Sequence, residues 1–137
     1  MKKVLFVCTG NACRSQMAEG ILGDLAKGRF EVFSAGTHPT RVHPASIKVM
    51  AEWDIDISHH TSDLIDDYLN AGMDIVITVC DNANQLCPIF PGVVEHIHWS
   101  IDDPFVNWSD EAHLLQPYRR TRDKLRARIQ EFLGSRD

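Results

Sequence analysis

The chain has 137 residues with a formal net charge of −5, and 44% of its residues are hydrophobic and 24% charged. This length and composition are typical of one globular domain, so we expect a single domain over residues 1–137. The acidic balance argues against general affinity for nucleic acid or anionic membranes, and no apolar run is long enough to span a bilayer. An anionic ligand would therefore need a local binding site whose groups favour negative charge.

Apolar spacing in the first half of the chain predicts two strands and three helices. Residues 4–7 and 30–34 are short β-rich runs, which are typical of buried strands. Residues from 14 to about 27 carry apolar side chains at helical spacing, and a second helix is expected to begin near Pro44. The Thr-Ser-Asp string at residues 61–63 is expected to cap a third helix, because hydroxyl and carboxylate groups are common at helix starts.

The second half of the chain predicts two more strands and a long terminal helix. The strands are expected over residues 74–79 and 93–99. Residues 110–133 form an amphipathic pattern rich in Arg and Lys, which is typical of a helix with one solvated face. Strands that alternate with helices predict an α/β fold. We therefore expect a doubly wound domain with a central four-stranded parallel sheet and helices on both faces.

Chemically reactive side chains follow three of the predicted strands. Cys8 and Cys80 come at the ends of the first and third strands, and the string Asp102-Asp103-Pro104 follows the fourth. Because ligands of open parallel sheets bind beyond the carboxyl ends of the strands, we expect these groups to face one crevice.

The four cysteines, Cys8, Cys13, Cys80 and Cys87, allow three interpretations. Structural disulfides are not expected, since the apolar start is too short for a signal peptide and the cytosol keeps thiols reduced. The spacings C-x4-C and C-x6-C do not match the usual close zinc pairs. The spacing and the expected cytoplasmic location therefore favour redox or nucleophilic chemistry, with Cys13 as a bystander.

The string from Cys8 to Ser15 has the composition of an oxyanion-binding loop between a strand and a helix. Arg14 supplies a planar fork that matches two oxyanion oxygens, and the positive surroundings favour the thiolate form of Cys8. Ser15 is expected to donate a hydrogen bond to that thiolate. A buried structural cysteine is the alternative, but it gives Arg14 no role. Backbone N–H groups are expected to bind the anion together with the Arg14 side chain, from Thr9, Gly10, Asn11, Ala12, Cys13 and Arg14.

Residues 7–19, Val-Cys-Thr-Gly-Asn-Ala-Cys-Arg-Ser-Gln-Met-Ala-Glu, resemble the signature of the low-molecular-weight protein tyrosine phosphatase superfamily. The strings Ser34-Ala35-Gly36 and Asp103-Pro104 resemble further landmarks of the family. The resemblance implies that Cys8 attacks an oxyanion, that Arg14 binds it, and that Asp103 acts as the general acid. Asp102 is the rival acid, and the position before Pro104 favours Asp103.

Residues 78–88 and 98–104 resemble the thioredoxin-coupled arsenate reductases of that superfamily. The resemblance implies that Cys8 attacks arsenate, that Cys80 then attacks Cys8 and releases arsenite, and that Cys87 carries the disulfide outward as Cys80–Cys87. It implies no tightly bound cofactor and an external dithiol donor, thioredoxin, with glutaredoxin and glutathione as the alternative. Phosphate or sulfate would mimic arsenate. A phosphatase that needs only Cys8, Arg14 and Asp103, and a non-enzymatic redox or oxyanion sensor, remain alternatives.

The implied Cys80–Cys87 bond places a demand on the local structure. The bond spans seven positions, so the intervening helix or loop must rearrange before the sulfurs can meet. We therefore expect residues 80–92 to be mobile and not locked into regular structure, which Pro88 and the Pro91-Gly92 pair favour.

The resemblance also suggests a potassium ion near the nucleophile loop. Hard oxygen ligands suit such a cation. The alternative is a hydrogen-bond network that shapes the loop and caps the third helix. The matching positions are Asn11, Glu19, Ser34 and Asp63.

His96 and His98 alternate along the predicted fourth strand, so their side chains are expected to point to the same side. No carboxylate lies at a matching spacing. We therefore expect no metal site at this pair.

Overall fold

The computed structural model describes residues 1–92 and 94–136. Strands and helices alternate along these residues, as the sequence predicts. Two 3₁₀ turns, Ile65–Tyr68 and Ala112–Leu114, lie in the connections. The elements in chain order are β1 Lys2–Cys8, α1 Arg14–Leu25, β2 Phe30–Gly36, α2 Pro44–Ala51, β3 Ile75–Thr78, α3 Asp81–Leu86, β4 Glu95–His98 and α4 Gln116–Gly134.

The four strands form one parallel sheet in the order β2-β1-β3-β4, which confirms the predicted four-stranded parallel sheet. Residues 4–7 of the central strand β1 have no exposed surface. Because neighbouring side chains of a strand point to opposite faces, both faces of the sheet are covered at this strand. The register pairs Cys8 with Gly36 and Val7 with Thr78, so these strands end at one edge.

The strand and helix bounds differ from the predicted ones by a few residues. Strand β2 continues to Gly36, and β4 covers Glu95–His98. Val93, the first residue of the predicted fourth strand, lies outside the described residues. The predicted terminal helix is divided into a 3₁₀ turn and α4, because proline in the first turn of α4 favours a new helix start there.

The expectation that residues 61–63 cap a third helix is wrong. Leu64 is the N-cap of a four-residue 3₁₀ turn, and no side chain caps that turn. The backbone carbonyl of Asp63 instead accepts a hydrogen bond from the Gly36 N–H at 2.8 Å. The Asp63 side chain accepts hydrogen bonds from Thr61 and Tyr68. The polar string therefore fastens this connection to the end of β2.

The expectation that residues 80–92 lack regular structure is wrong for the part that forms α3, Asp81–Leu86. The helix begins because the Cys80 sulfur accepts a hydrogen bond from the Ala83 N–H at 3.3 Å, in the manner of an N-cap. Pro88 follows the C-cap residue Cys87 and prevents continuation of the helix. Within the two described ranges, no helix has the length and apolar character needed to cross a membrane.

Candidate active site

Strand β1 ends at the candidate nucleophile Cys8, which is buried at the start of the loop to α1. Its sulfur lies 2.9 Å from the Ser15 hydroxyl oxygen. That oxygen accepts a hydrogen bond from the Asn11 side-chain N–H at 2.7 Å. Because the amide supplies the donor to Ser15, the Ser15 proton is available to Cys8. Asn11 adopts a left-handed backbone with φ of 48°, which asparagine tolerates better than most residues.

Four backbone carbonyl groups between residues 8 and 12 accept hydrogen bonds from the segment that follows β2. The oxygens of residues 8, 9, 10 and 12 accept hydrogen bonds from backbone N–H groups of residues 37, 38, 40 and 43, at 2.9–3.3 Å. In a trans peptide unit the C=O and the following N–H point in opposite directions. The N–H groups of residues 9, 10, 11 and 13 are thereby directed to the other side of the loop, where they can bind an anion.

A cavity of about 190 Å³ opens over the nucleophile loop. Arg14 is anchored at its wall by a hydrogen bond to the Ile101 carbonyl at 3.0 Å, and its Nη2 lies 3.5 Å from Asp103 Oδ2. The Asp102 side chain is instead 94% exposed and lies 3.7 Å from Lys124, so Asp103 is the aspartate of the pair at the cavity. The cavity is lined by Cys8, Thr9, Gly10, Ala12, Cys13, Arg14, Thr40, Asp103, Phe105 and Trp108.

Asn11, which was expected among the anion-binding residues, does not line the cavity. Its side chain is buried behind the loop, where the amide oxygen accepts the Asp63 N–H at 2.8 Å. The same side chain donates to Ser15 and Ser34. Asn11 therefore shapes the loop through its side chain, and its backbone N–H is the group directed to the anion side.

Cys80 contacts the nucleophile loop across the sheet edge. It is buried after the end of β3, and its sulfur lies 3.4 Å from the Thr9 hydroxyl oxygen. That oxygen also accepts a hydrogen bond from the Asn82 side chain at 3.0 Å. Because Asn82 donates to the Thr9 oxygen, the Thr9 hydroxyl proton does not point to Asn82 and can be donated to the Cys80 sulfur. The sequence reasoning missed this connection.

Cys87 lies at the opposite end of α3 and is half-buried. Burial raises the pKa of its thiol above the ordinary value. The thiol donates a hydrogen bond to the Pro88 carbonyl at 3.6 Å. All four cysteines are free thiols, so the structure has the reduced form of the chain.

Cys13 lines the same cavity but differs from Cys8 in its chemistry. Burial raises the pKa of Cys13 to about 12, with smaller contributions from the negative charges of Cys8 and Asp103. Its thiol is therefore protonated at neutral pH, and a protonated thiol is a poor nucleophile.

The suggested cation positions lie behind the nucleophile loop. Glu19, Ser34 and Asp63 line a second cavity of about 280 Å³. Ser34 donates a hydrogen bond to Glu19 at 2.6 Å. Burial raises the pKa of Glu19, and the nearby charge of Asp63 raises it further. Among the described residues, no group of three or more His, Cys, Asp or Glu side chains could hold a metal ion.

His43 is a further site residue that the sequence reasoning missed. It caps α2, and its Nδ1 accepts the Ala45 N–H at 2.9 Å. Burial lowers the pKa of His43, so the ring is neutral and its Nε2–H donates to the Asn107 carbonyl at 2.7 Å. The ring stacks on Trp108 with a centroid distance of 5.0 Å and contacts Phe105 edge-on. His43 therefore holds the segment that forms one cavity wall.

Comparisons with known proteins match almost the whole chain. The sequence model of the family described as low molecular weight phosphotyrosine protein phosphatase matches residues 3–136. Arsenate reductase 1 of Staphylococcus epidermidis is 46% identical to this chain, and the alignment covers 96% of this chain and 95% of that protein.

Two solved structures show the same fold. A structure described as an arsenate reductase in the phosphate binding state aligns with a TM-score of 0.82 and 35% identity over 100% of both chains. A thioredoxin-dependent arsenate reductase of Corynebacterium glutamicum aligns with a TM-score of 0.77 and 28% identity, over 98% of this chain and 61% of that chain. The four-stranded parallel sheet and the strand-to-helix loop are thus part of a known architecture.

Proposed function

The chain belongs to the low molecular weight phosphotyrosine protein phosphatase family and is an arsenate reductase, and we propose that it reduces arsenate through a relay of Cys8, Cys80 and Cys87. The contact that supports the relay joins the Cys80 sulfur to Thr9 of the nucleophile loop at 3.4 Å. A phosphatase of this fold needs no second thiol at that place. Similarity to arsenate reductases supports the same activity.

In the first step the Cys8 thiolate attacks arsenate in the cavity. The Arg14 guanidinium and the N–H groups of the loop bind its oxygens, and Ser15 hydrogen-bonds the sulfur. A sulfur–arsenic bond forms and an arsenic–oxygen bond breaks. Asp103 supplies a proton, so the departing oxygen leaves as water.

In the second step the Cys80 thiolate attacks the Cys8 sulfur. A sulfur–sulfur bond forms, and the electron pair of the sulfur–arsenic bond moves to arsenic. Arsenic is thereby reduced from the +5 to the +3 state and leaves as arsenite, while the two thiols are oxidised to a disulfide. The Thr9 hydroxyl oxygen and the Ala83 N–H both lie within hydrogen-bond distance of the Cys80 sulfur and hold it in place for this attack.

In the third step Cys87 attacks the Cys80 sulfur and frees the Cys8 thiolate. Seven residue steps at a rise of about 1.5 Å would separate the two Cα atoms by roughly 10 Å in a helix. A disulfide requires a separation below about 7 Å, so α3 must unwind. Unwinding also moves Cys87 into water, where its thiol ionises more readily than in its buried position.

An external dithiol then reduces the Cys80–Cys87 bond. We propose thioredoxin as this donor, supported by the similarity to a thioredoxin-dependent arsenate reductase. Glutaredoxin with glutathione is the alternative donor. The relay starts from free thiols, and all four cysteines are free thiols in this structure. The cytoplasm keeps cysteines in this reduced state. We therefore propose a cytoplasmic location.

A potassium ion is proposed at the second cavity, where oxygen atoms of Glu19, Ser34 and Asp63 are suitable ligands for a hard cation. Asn11, the fourth suggested ligand, is not among the residues that line this cavity, and its side-chain oxygen accepts the Asp63 N–H. When bound, the cation would supply positive charge to the two carboxylates. The chain itself holds Ser15 in place through the Asn11 amide.

Slow hydrolysis of aryl phosphates is a second candidate activity. Phe105 and Trp108 give the cavity an aromatic wall beside Cys8, which suits a phenyl ester. This reaction would need Cys8, Arg14 and Asp103, but neither Cys80 nor Cys87.

One pair of assays separates these functions. Arsenate-dependent consumption of NADPH is measured with thioredoxin and thioredoxin reductase, in wild type, Cys80→Ser and Cys87→Ser. Hydrolysis of p-nitrophenyl phosphate is followed in parallel, with Cys13→Ser as the matched cysteine control. We expect both relay variants to lose multiple turnover and to keep hydrolysis. Hydrolysis without arsenate turnover in wild type would favour a phosphatase. Inactivity in both assays, with reversible oxidation of Cys80 and Cys87, would favour a sensor.

A further inference from the structure

The first residue of α3 is fastened to the end of β4. The Asp81 carboxylate accepts a hydrogen bond from His98 Nε2 at 2.8 Å. On the other side of the ring, His98 Nδ1 lies 2.8 Å from the hydroxyl oxygen of Thr78, the last residue of β3. Both histidines of β4 approach this hydroxyl, but His96 lies 3.5 Å away. These contacts connect α3 to two neighbouring strands.

The Thr78 hydroxyl also reaches α3 directly. It lies 3.3 Å from the side-chain oxygen of Asn84 in the middle of that helix. A neutral His98 that donates from Nε2 must accept at Nδ1, so it takes the Thr78 proton. A protonated His98 donates from Nδ1, which frees the Thr78 proton for Asn84. The charge of this imidazole thus decides whether the Thr78 proton is taken by the ring or is free for Asn84, which lies closer than the competing Ile97 carbonyl at 3.5 Å.

We propose that Asp81, His98 and Thr78 form a proton-controlled latch that holds α3 against the sheet and sets how readily Cys80 and Cys87 can meet. The latch rests on the proposed relay, in which α3 must unwind. Protonation of His98 adds a charge-assisted bond to Asp81 and a second bond to Asn84. Acid therefore closes the latch, and alkali loosens it. The three residues are positioning residues, since none contacts the arsenate cavity.

Two other titratable groups, Asp81 and His96, contact this network. Hydrogen bonds from His98 and Ser100 hold the pKa of Asp81 below its ordinary value, and the charge of Arg14 adds to this effect. Asp81 therefore stays ionised through the range in which histidines titrate. His96 is the other titratable group at Thr78, at the longer distance. The imidazole of His98 is the ring that contacts both Asp81 and Thr78, so the number of protons it carries sets the direction of the hydrogen bond to Thr78.

The direct test is amide hydrogen exchange in residues 84–86 of the reduced protein. Protection factors, corrected for intrinsic exchange rates, are compared at pH 5.5 and pH 7.5. We expect them to be about three- to tenfold higher at pH 5.5 in wild type, the effect of one or two hydrogen bonds. His98→Gln cannot be protonated, so its protection should be the same at both pH values.

Two matched variants show whether the effect belongs to this ring. His96→Gln tests the neighbouring imidazole on β4. His113→Gln removes an exposed histidine that lies 3.8 Å from Glu111, outside the latch. Both should keep the pH dependence of wild type. Equal protection at both pH values in wild type, or the same pH dependence in His98→Gln, would overturn the latch.

The chemical consequence is measured by oxidation with diamide, which takes two electrons from Cys80 and Cys87 as it is reduced to the hydrazine. In the Cys8→Ala, Cys13→Ala background, His98→Gln at pH 5.5 should form the Cys80–Cys87 bond about three- to tenfold faster than its parent. Because both proteins are oxidised at the same pH, the pH dependence of thiol ionisation does not enter the ratio of the two rates. Equal rates would contradict the latch. Neither measurement uses arsenate, so failure of the proposed function would appear separately as absent arsenate turnover.

Discussion

Replacement of Gly36 by alanine is expected to disable the nucleophile loop. A Cβ atom at this position would lie 2.6 Å from the Thr9 carbonyl oxygen and 3.0 Å from the backbone nitrogen of Asn11. Both neighbours are backbone atoms, so no side-chain rotation relieves the contact. Ordinary van der Waals contact begins at 3.4 Å, so relief of the contact at 2.6 Å requires the loop to shift by about 0.8 Å. Since a misplacement near 1 Å can cost about 100-fold in rate, we expect kcat/KM to fall by about that factor.

The same clash should lower the free energy of unfolding by about 1–3 kcal/mol, the usual cost of overpacking. Arsenate turnover and urea unfolding are measured for Gly36→Ala beside Gly23→Ala. Gly23 lies in α1, and apart from its chain neighbours and the nearby backbone of the helix itself, no described atom lies within 4 Å of the position that an alanine Cβ would take there. Its replacement should therefore stabilise the protein by about 0.5–1 kcal/mol without loss of turnover. Wild-type turnover and an unchanged unfolding midpoint in Gly36→Ala would refute the steric reasoning.

Two further changes test the general acid and a surface network. Asp103→Asn should lower arsenate turnover by about 100-fold or more, whereas Asp102→Asn should have little effect, since only Asp103 lies at the cavity. Equal losses in steady-state assays would argue against this assignment. Hydrogen bonds from Arg119 and Arg122 lower the pKa of Glu52 to about 2. Glu52→Gln should cost about 1 kcal/mol or less at pH 7, because Glu52 is 38% exposed, and this difference should disappear between about pH 4.5 and pH 2 in urea titrations.

The central strands β1 and β3 could be predicted because each contains a continuous apolar run, whereas β4, Glu-His-Ile-His, is largely exposed. Residues 4–7 are apolar at every position, which is typical of a strand buried on both faces. The parallel order then brings Cys8 and the residues after β3 to one edge. The convergence of Cys8, Cys80 and Asp103 follows from this topology, without knowledge of any side-chain contact.

Helix α3 could not be predicted because the helix is only six residues long and most of these residues are polar. Its start depends on a cysteine in the N-cap position, a residue that is not a usual cap. Its ties to the sheet come from His98 and Thr78, which belong to other elements. Local sequence does not encode such long-range contacts, and tertiary structure overrides the weak propensity.

The role of His43 was hidden for the same reason. The residue before Pro44 gives a weak signal for a helix start, but its partner Asn107 lies 64 positions away. At residues 61–63 the error was the reverse: residue types that often cap helices predicted a cap, but in the structure Asp63 fastens a loop through its backbone N–H and carbonyl groups. In both cases the local residue types are compatible with several structures, and distant partners decide between them.

The relay is tested most directly by one turnover of the Cys87→Ser variant with one equivalent of arsenate and no external reductant. The reaction is quenched with acid, arsenite is quantified, and disulfides are mapped by mass spectrometry. The account predicts one arsenite per chain and a trapped Cys8–Cys80 disulfide. Arsenite release with Cys80 still a free thiol would contradict it, because the electrons would then have come from another group.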